Sequence, residues 1–187
     1  MLCWVLALAT VASAPAQKSG NPRVDAVWAA VHNRMYRQSD YWWEDGDFPR
    51  CVNLLRFIFR TMPGDYEIAT DLGWMLENID RYDEAAEVYQ DFYTLNPKDP
   101  EAAYPIANYY FTKKQYEKAY TILDPTLKMQ PHPHPNSFRV CAHSYERAGK
   151  LQDSKRVWNM LLKLTPNDGM AKANLARVEG KIKAAGG

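Results

Sequence analysis

The densest group of potential ligands in this chain is the run DYWWEDGD, where Asp40, Glu44, Asp45 and Asp47 crowd together. Four carboxylates so close could hold a calcium ion. A calcium loop, however, needs its oxygens at alternating positions and a closing bidentate Glu, and both are missing here. Gly46-Asp47 reads instead as a turn between two helices. A second possibility is the PHPHP run, with His132 and His134 two residues apart. Imidazoles at that spacing could begin a metal site, but the flanking prolines favour an extended linker and no third ligand follows. His143 stands alone. Cys51 and Cys141 read as small apolar core residues, too far apart in the register described below to pair. No nucleophile motif, phosphate-cradling glycine loop or CxxC occurs. The residues capable of chemistry are therefore unpartnered. The chain reads as no enzyme, with no cofactor and no metal.

Composition narrows the alternatives. The 187 residues are 47% hydrophobic and 24% charged, ordinary for one globular domain, and the net charge of +1 gives no reason to expect nucleic acid. Residues 1–16 carry no charged side chain. The apolar run Leu2–Ala14 is of signal-peptide length and too short to span a bilayer, and Ala14-Pro15-Ala16 offers a small-x-small cleavage site. A cleaved signal peptide over 1–16 is expected, which makes the chain exported, periplasmic or secreted, with no stable membrane span after cleavage. The alternatives are a misassigned start or a retained N-terminal helix, in which case the chain is cytoplasmic. Residues 17–21 then form a short leader.

The elements that must position the remaining polar groups repeat with a period of 34. Segments 66–99, 100–133 and 135–168 align without internal gaps, and 32–65 is a weaker copy. The first of these carries Leu72-Gly73, Leu76, Tyr82, Ala85, Tyr89, Phe92 and Pro97. Equivalent places hold Ala107, Tyr110, Tyr116, Ala119, Leu123 and Pro131, then Ala142, Tyr145, Leu151, Ser154, Trp158 and Pro166. In the weaker copy Ser39, Trp42, Phe48, Cys51, Leu55 and Pro63 correspond, with Gln38 where a large apolar residue is expected. Apolar residues recur three and four apart, as amphipathic helices require. Small residues lie where two helix backbones must cross closely, and the proline ends each second helix. Asn21-Pro22 predicts a helix start, followed by an apolar stripe of Val24, Trp28, Val31 and Met35 that could run on into the first repeat. Ala171, Leu175, Val178 and Ile182 line a final helix over 169–184, with Lys172, Arg177, Lys181 and Lys183 outside as a solvating cap.

This pattern resembles the tetratricopeptide-repeat family: small at the eighth and twentieth positions of each repeat, aromatic or Leu at the eleventh and seventeenth, Pro at the thirty-second. The resemblance implies an all-α, right-handed superhelical solenoid of antiparallel helix pairs over 22–187, with about four repeats and a capping helix. It also implies that partners bind in the concave groove lined by the first helix of each pair. Its fifth, ninth and twelfth positions fall on Tyr36, Asp40 and Trp43; Thr70, Trp74 and Glu77; Tyr104, Asn108 and Phe111; Arg139, His143 and Glu146. Of these, Tyr36, Trp43, Trp74, Tyr104, Asn108, Phe111, Arg139 and His143 are the candidate partner-binding residues. Rings and amides of this kind suit an extended peptide. Equally, Trp43, Trp74 and Tyr104 could pack on each other or on the leading helix. The Lys and Asn clamp with which some family members hold a C-terminal carboxylate is absent, since Tyr36, Asp40, Asp71, Glu101 and Pro105 stand in its place.

Charge is unevenly spread. Residues 66–99 hold 9 acidic and 2 basic side chains, a net −7, whereas 135–187 hold 4 acidic and 10 basic, a net +6. Such a chain could orient a charged partner, stack head-to-tail on itself, or simply carry solvated outer faces. The function expected is a non-catalytic interaction module, an adaptor or scaffold binding a protein segment in its groove. The alternative is a structural subunit of an envelope or secretion assembly, its aromatic face forming the subunit interface. A regulatory domain detached from a catalytic chain is a third reading.

Overall fold

The computed structural model describes residues 20–185. The expected signal peptide (1–16), residues 17–19 of the leader and residues 186–187 lie outside the described residues. Among the described residues there is no strand. The helices run α1 (Pro22–Glu44), α2 (Phe48–Thr61), α3 (Tyr66–Asn78), α4 (Tyr82–Leu95), α5 (Ala103–Thr112), α6 (Tyr116–Thr126), α7 (Pro135–Arg147), α8 (Leu151–Leu164) and α9 (Gly169–Ala185). None is long and apolar enough to cross a membrane.

Local chemistry sets the ends. Asn21, Asp47 and Asp65 cap α1, α2 and α3 by accepting from the amides of Arg23, Arg50 and Ile68 at 3.0, 3.3 and 3.1 Å. Within each pair the turn is built one way. Gly46, Asp80, Lys114 and Gly149 all adopt positive φ, between 60° and 77°. The next amide, of Asp47, Arg81, Gln115 or Lys150, donates back to Trp42, Leu76, Tyr110 or Tyr145 at 2.8–2.9 Å. This is the bond that closes a helix through a left-handed residue. Asp80 and Lys114 hold that conformation without the freedom of glycine.

The small residues meet as the repeat requires. The Cys51 thiol donates to the Ser39 carbonyl at 3.2 Å, and the Ser154 hydroxyl to the Ala142 carbonyl at 2.8 Å. The same contact in the first and last repeats fixes Ser39 as the eighth position, despite the polar Gln38 beside it. Cys51 and Cys141 are buried free thiols. Behind these crossings the core runs through the stack in two bodies, joined by Tyr93, Tyr110 and Ile122, which touch both. Phe92, Phe138, Leu161 and Trp158 are almost wholly enclosed. Each such side chain contributes about 1.5–3 kcal/mol of apolar burial.

The two ends differ. The α1 helix runs on without a break, and its first turns leave Val24, Val27, Trp28 and Val31 exposed. The α9 helix packs Ala171 and Val178 against the last pair. Its Arg177 and Lys181 correct the sequence reading, which put them on the outer solvated face. Both reach back to the Glu146 carboxylate, at 2.5 and 2.8 Å.

Candidate functional site

The candidate residues lie on the first helices of successive pairs, α1, α3, α5 and α7, and α1 and α3 meet through two of them. Trp43 and Trp74 come together there, ring centroids 5.1 Å apart, with Phe48 another 5.1 Å from Trp43. Both indoles stay open, 39% and 50% exposed. They pack on each other and still offer their outer faces to solvent. Exposed Trp of this kind supplies large contact area at little entropic cost.

Beside Trp74 opens a cleft of about 470 Å³ lined by Asn108, Asn78, Pro105, Tyr82, Tyr109 and Lys113, among others. The Lys113 ammonium sits 3.7 Å from the centroid of Tyr82 and 4.0 Å from a Glu77 oxygen. The Tyr109 hydroxyl donates to the Tyr82 carbonyl at 3.1 Å, and that of Tyr89 to Glu77 at 3.1 Å. Burial, followed by the Glu77 charge, pushes the Tyr89 phenol far above its ordinary value. The cleft wall is thus fixed, with the Asn108 amide available at its mouth. A second cleft of about 470 Å³ is lined by Tyr104, Tyr66, Glu101, His134 and Asn136.

Other candidates are committed elsewhere. The Tyr36 hydroxyl donates to Asp65 at 2.8 Å, and Arg139 donates to Asp168 at 2.8 Å. Asp65 and Asp168 cap the next first helix through their second oxygen. The fifth position therefore works as a latch between neighbouring repeats at both ends of the stack. Phe111 turns its ring onto Tyr116, 5.7 Å away. His143 stands edge-on to Trp158 at 5.0 Å, and burial holds its imidazole below the ordinary range. Glu146, closed over by α9, is out of the groove. Among the described residues no three His, Cys, Asp or Glu gather as a metal-holding group.

The groove is electrically lopsided. Asp40, Asp71 and Glu67 lie on the α1–α3 section, and no ion pair among the described residues involves any of them. Asp71 is open to solvent. Even so, the atoms packed around it, and then the like charges of Glu67, Asp65 and Asp40, raise its carboxyl above the ordinary range. At the far end stand Arg139, Arg147 and the cations of α9.

Sequence reasoning missed Tyr82, Tyr109 and Lys113. Tyr82 and Lys113 sit at the seventeenth and fourteenth positions, beyond the twelfth where the periodic groove rule stops, and Tyr109 sits at the tenth, between two groove positions. The available signal was Tyr82 at the seventeenth position, aromatic in most copies of the repeat.

A family model described as anaphase-promoting complex, cyclosome, subunit 3 matches residues 78–157, less than half of the chain. No curated protein sequence matches. Among solved structures, MamA residues 41-end from Desulfovibrio magneticus RS-1 is similar at 18% identity and a TM-score of 0.62, over 81% of this chain and 85% of that one. Another MamA crystal structure is similar at 17% identity and a TM-score of 0.62, over 80% and 81%. The first TPR of Spaghetti (RPAP3), solved bound to the HSP90 peptide SRMEEVD, is similar at 19% identity and a TM-score of 0.55, over 62% and 91%. At these identities the likeness is one of fold.

Proposed function

We propose, from the premise that this chain is a tetratricopeptide-repeat protein, that it is a non-catalytic adaptor or scaffold holding a segment of a partner protein along α1, α3 and α5. The observation that carries this reading is the open Trp43–Trp74 pair beside a cleft edged by Asn108. An apolar patch kept open at a concave surface loses free energy to water until a partner covers it. Asn108 adds an amide that can pair with an extended backbone, whereas the Asn78 amide nitrogen already donates to the Trp74 carbonyl at 2.7 Å. A neighbour of the same fold was solved with a peptide bound, which supports peptide capture in general. It does not extend to that peptide, since the carboxylate clamp is missing here.

A second reading has its own support. The exposed stripe Val24, Val27, Trp28 and Val31 on α1 suits a structural subunit packed inside a larger assembly.

One experiment separates the two. Trp74→Ala with Tyr104→Ala should abolish partner capture while helical circular dichroism stays unchanged, and the parent protein should remain monomeric by light scattering. Loss of helicity would show that the rings are core. A discrete oligomer that dissociates when Trp28 is replaced would favour the subunit reading.

A further inference from the structure

We infer that the captured segment is basic: the α1–α3 section of the groove takes a lysine or arginine of the partner against Trp43 and Trp74, beside the carboxylates of Asp40 and Asp71. This rests on the groove reading above and narrows it to one chemical class of partner.

Asp40 lies three residues before Trp43, and Asp71 three before Trp74, so each carboxylate stands one helical turn from its indole on the same face. The contact between the two indoles holds α1 and α3 side by side, which brings the two carboxylates abreast. Both Asp40 and Asp71 are exposed, and neither has a cationic partner among the described residues. The nearby cation, Lys113, is already shared between the Tyr82 ring and Glu77. Burial by the atoms packed around it first, and then the like charges of Glu67, Asp65 and Asp40, raise the Asp71 carboxyl above its ordinary range, so the neighbouring carboxylates add repulsion in the free protein. A partner cation relieves that repulsion. Trp is also the aromatic ring that attracts a cation most strongly.

Arginine or lysine flanked by apolar side chains therefore matches the section on both counts, as a face for the indoles and a counter-charge for the carboxylates. An acidic segment would be repelled here and drawn towards α7 and α9. The same charge logic admits one other occupant, the basic α9 end of a second copy.

Fluorescence anisotropy of the full chain tests this with labelled peptides of repeating Ala-Leu-Arg, and matched peptides carrying Gln or Glu for Arg. At low salt the Arg peptide should bind at least tenfold more tightly than the Gln peptide, a difference of about 1.4 kcal/mol, and the Glu peptide weakest. The advantage should shrink as salt is added. Asp40→Asn with Asp71→Asn, which keeps the side-chain shapes, should lower Arg-peptide affinity to the Gln level. Trp74→Ala should weaken every peptide.

Equal binding of Arg and Gln peptides, a silent Asp pair, or no saturable binding of the Arg peptide would overturn the basic partner. The groove reading would survive the first two results as long as Trp74→Ala still weakened binding. If Trp74→Ala changed nothing, both readings would fail together. Self-association in light scattering that the Asp pair abolishes would assign the section to a second copy, and would also overturn the proposal.

Discussion

Gly73 shows most plainly how one residue sets this fold. A methyl group added there would lie 2.1 Å from Cε1 and 2.3 Å from Cζ of Tyr89. Tyr89 is buried and its hydroxyl is held by Glu77, so the ring has nowhere to go. In an open helix, Gly→Ala would gain about 1 kcal/mol from propensity. Here overpacking costs about 1–3 kcal/mol and decides the sign. Gly73→Ala should therefore lower the urea midpoint, and a raised midpoint would contradict the packing described. This residue was legible, since a small side chain at a fixed place in a helical repeat implies a close crossing. What the crossing residue touches was not, because Tyr89 lies sixteen residues on and its rotamer depends on the whole pair. The same limit applied to Trp43 and Trp74. Their face could be read from spacing, but packing and exposure had to be seen, and both turn out to be true of the same rings.

At the scale of elements, every helix pair closes through the same left-handed residue, and first helices at both ends of the stack are tied by a fifth-position side chain to a capping aspartate. The helix pairs followed from periodicity because apolar spacing alone dictates them. The latches did not, although aspartates at 65, 99 and 168 recur in step with the repeat. A polar residue on a concave face looks alike in sequence whether it is free or bound to its neighbour. The α9 cap carries the clearest electrostatic consequence. The Glu146 side chain is only 3% exposed. Burial alone would raise its carboxyl, but hydrogen bonds and charge from Lys181 and Arg177 outweigh it, and the value falls below the ordinary range.

A carboxyl depressed in the folded state contributes stability above its unfolded value of about 4.3. That contribution disappears as pH drops through the lower, folded value. Amide exchange along α9 should therefore quicken below about pH 4, and Glu146→Gln should show much of that loss already at neutral pH. Since Arg177 and Lys181 are about half exposed, the expected cost is about 1–2 kcal/mol, at the low end for charged hydrogen bonds. Unchanged α9 protection in Glu146→Gln would contradict the docking described.

Over the whole molecule, near-zero net charge conceals a dipole, acidic at α3–α4 and basic from α7 onward. That asymmetry was readable by counting. Where it meets the groove was not, because the count does not say that the aromatic pair lies at the acidic end. The central claim is that a partner segment lies along the concave face at α3 and α5. It is tested most directly by photo-crosslinking in cells that make the protein, with p-benzoylphenylalanine placed at Asn108 on the concave face or at Phe57, exposed on α2. A discrete protein adduct is expected from Asn108, lost when Trp74→Ala is added, and none from Phe57. Adducts from Phe57 alone, or an Asn108 adduct indifferent to Trp74, would contradict that claim.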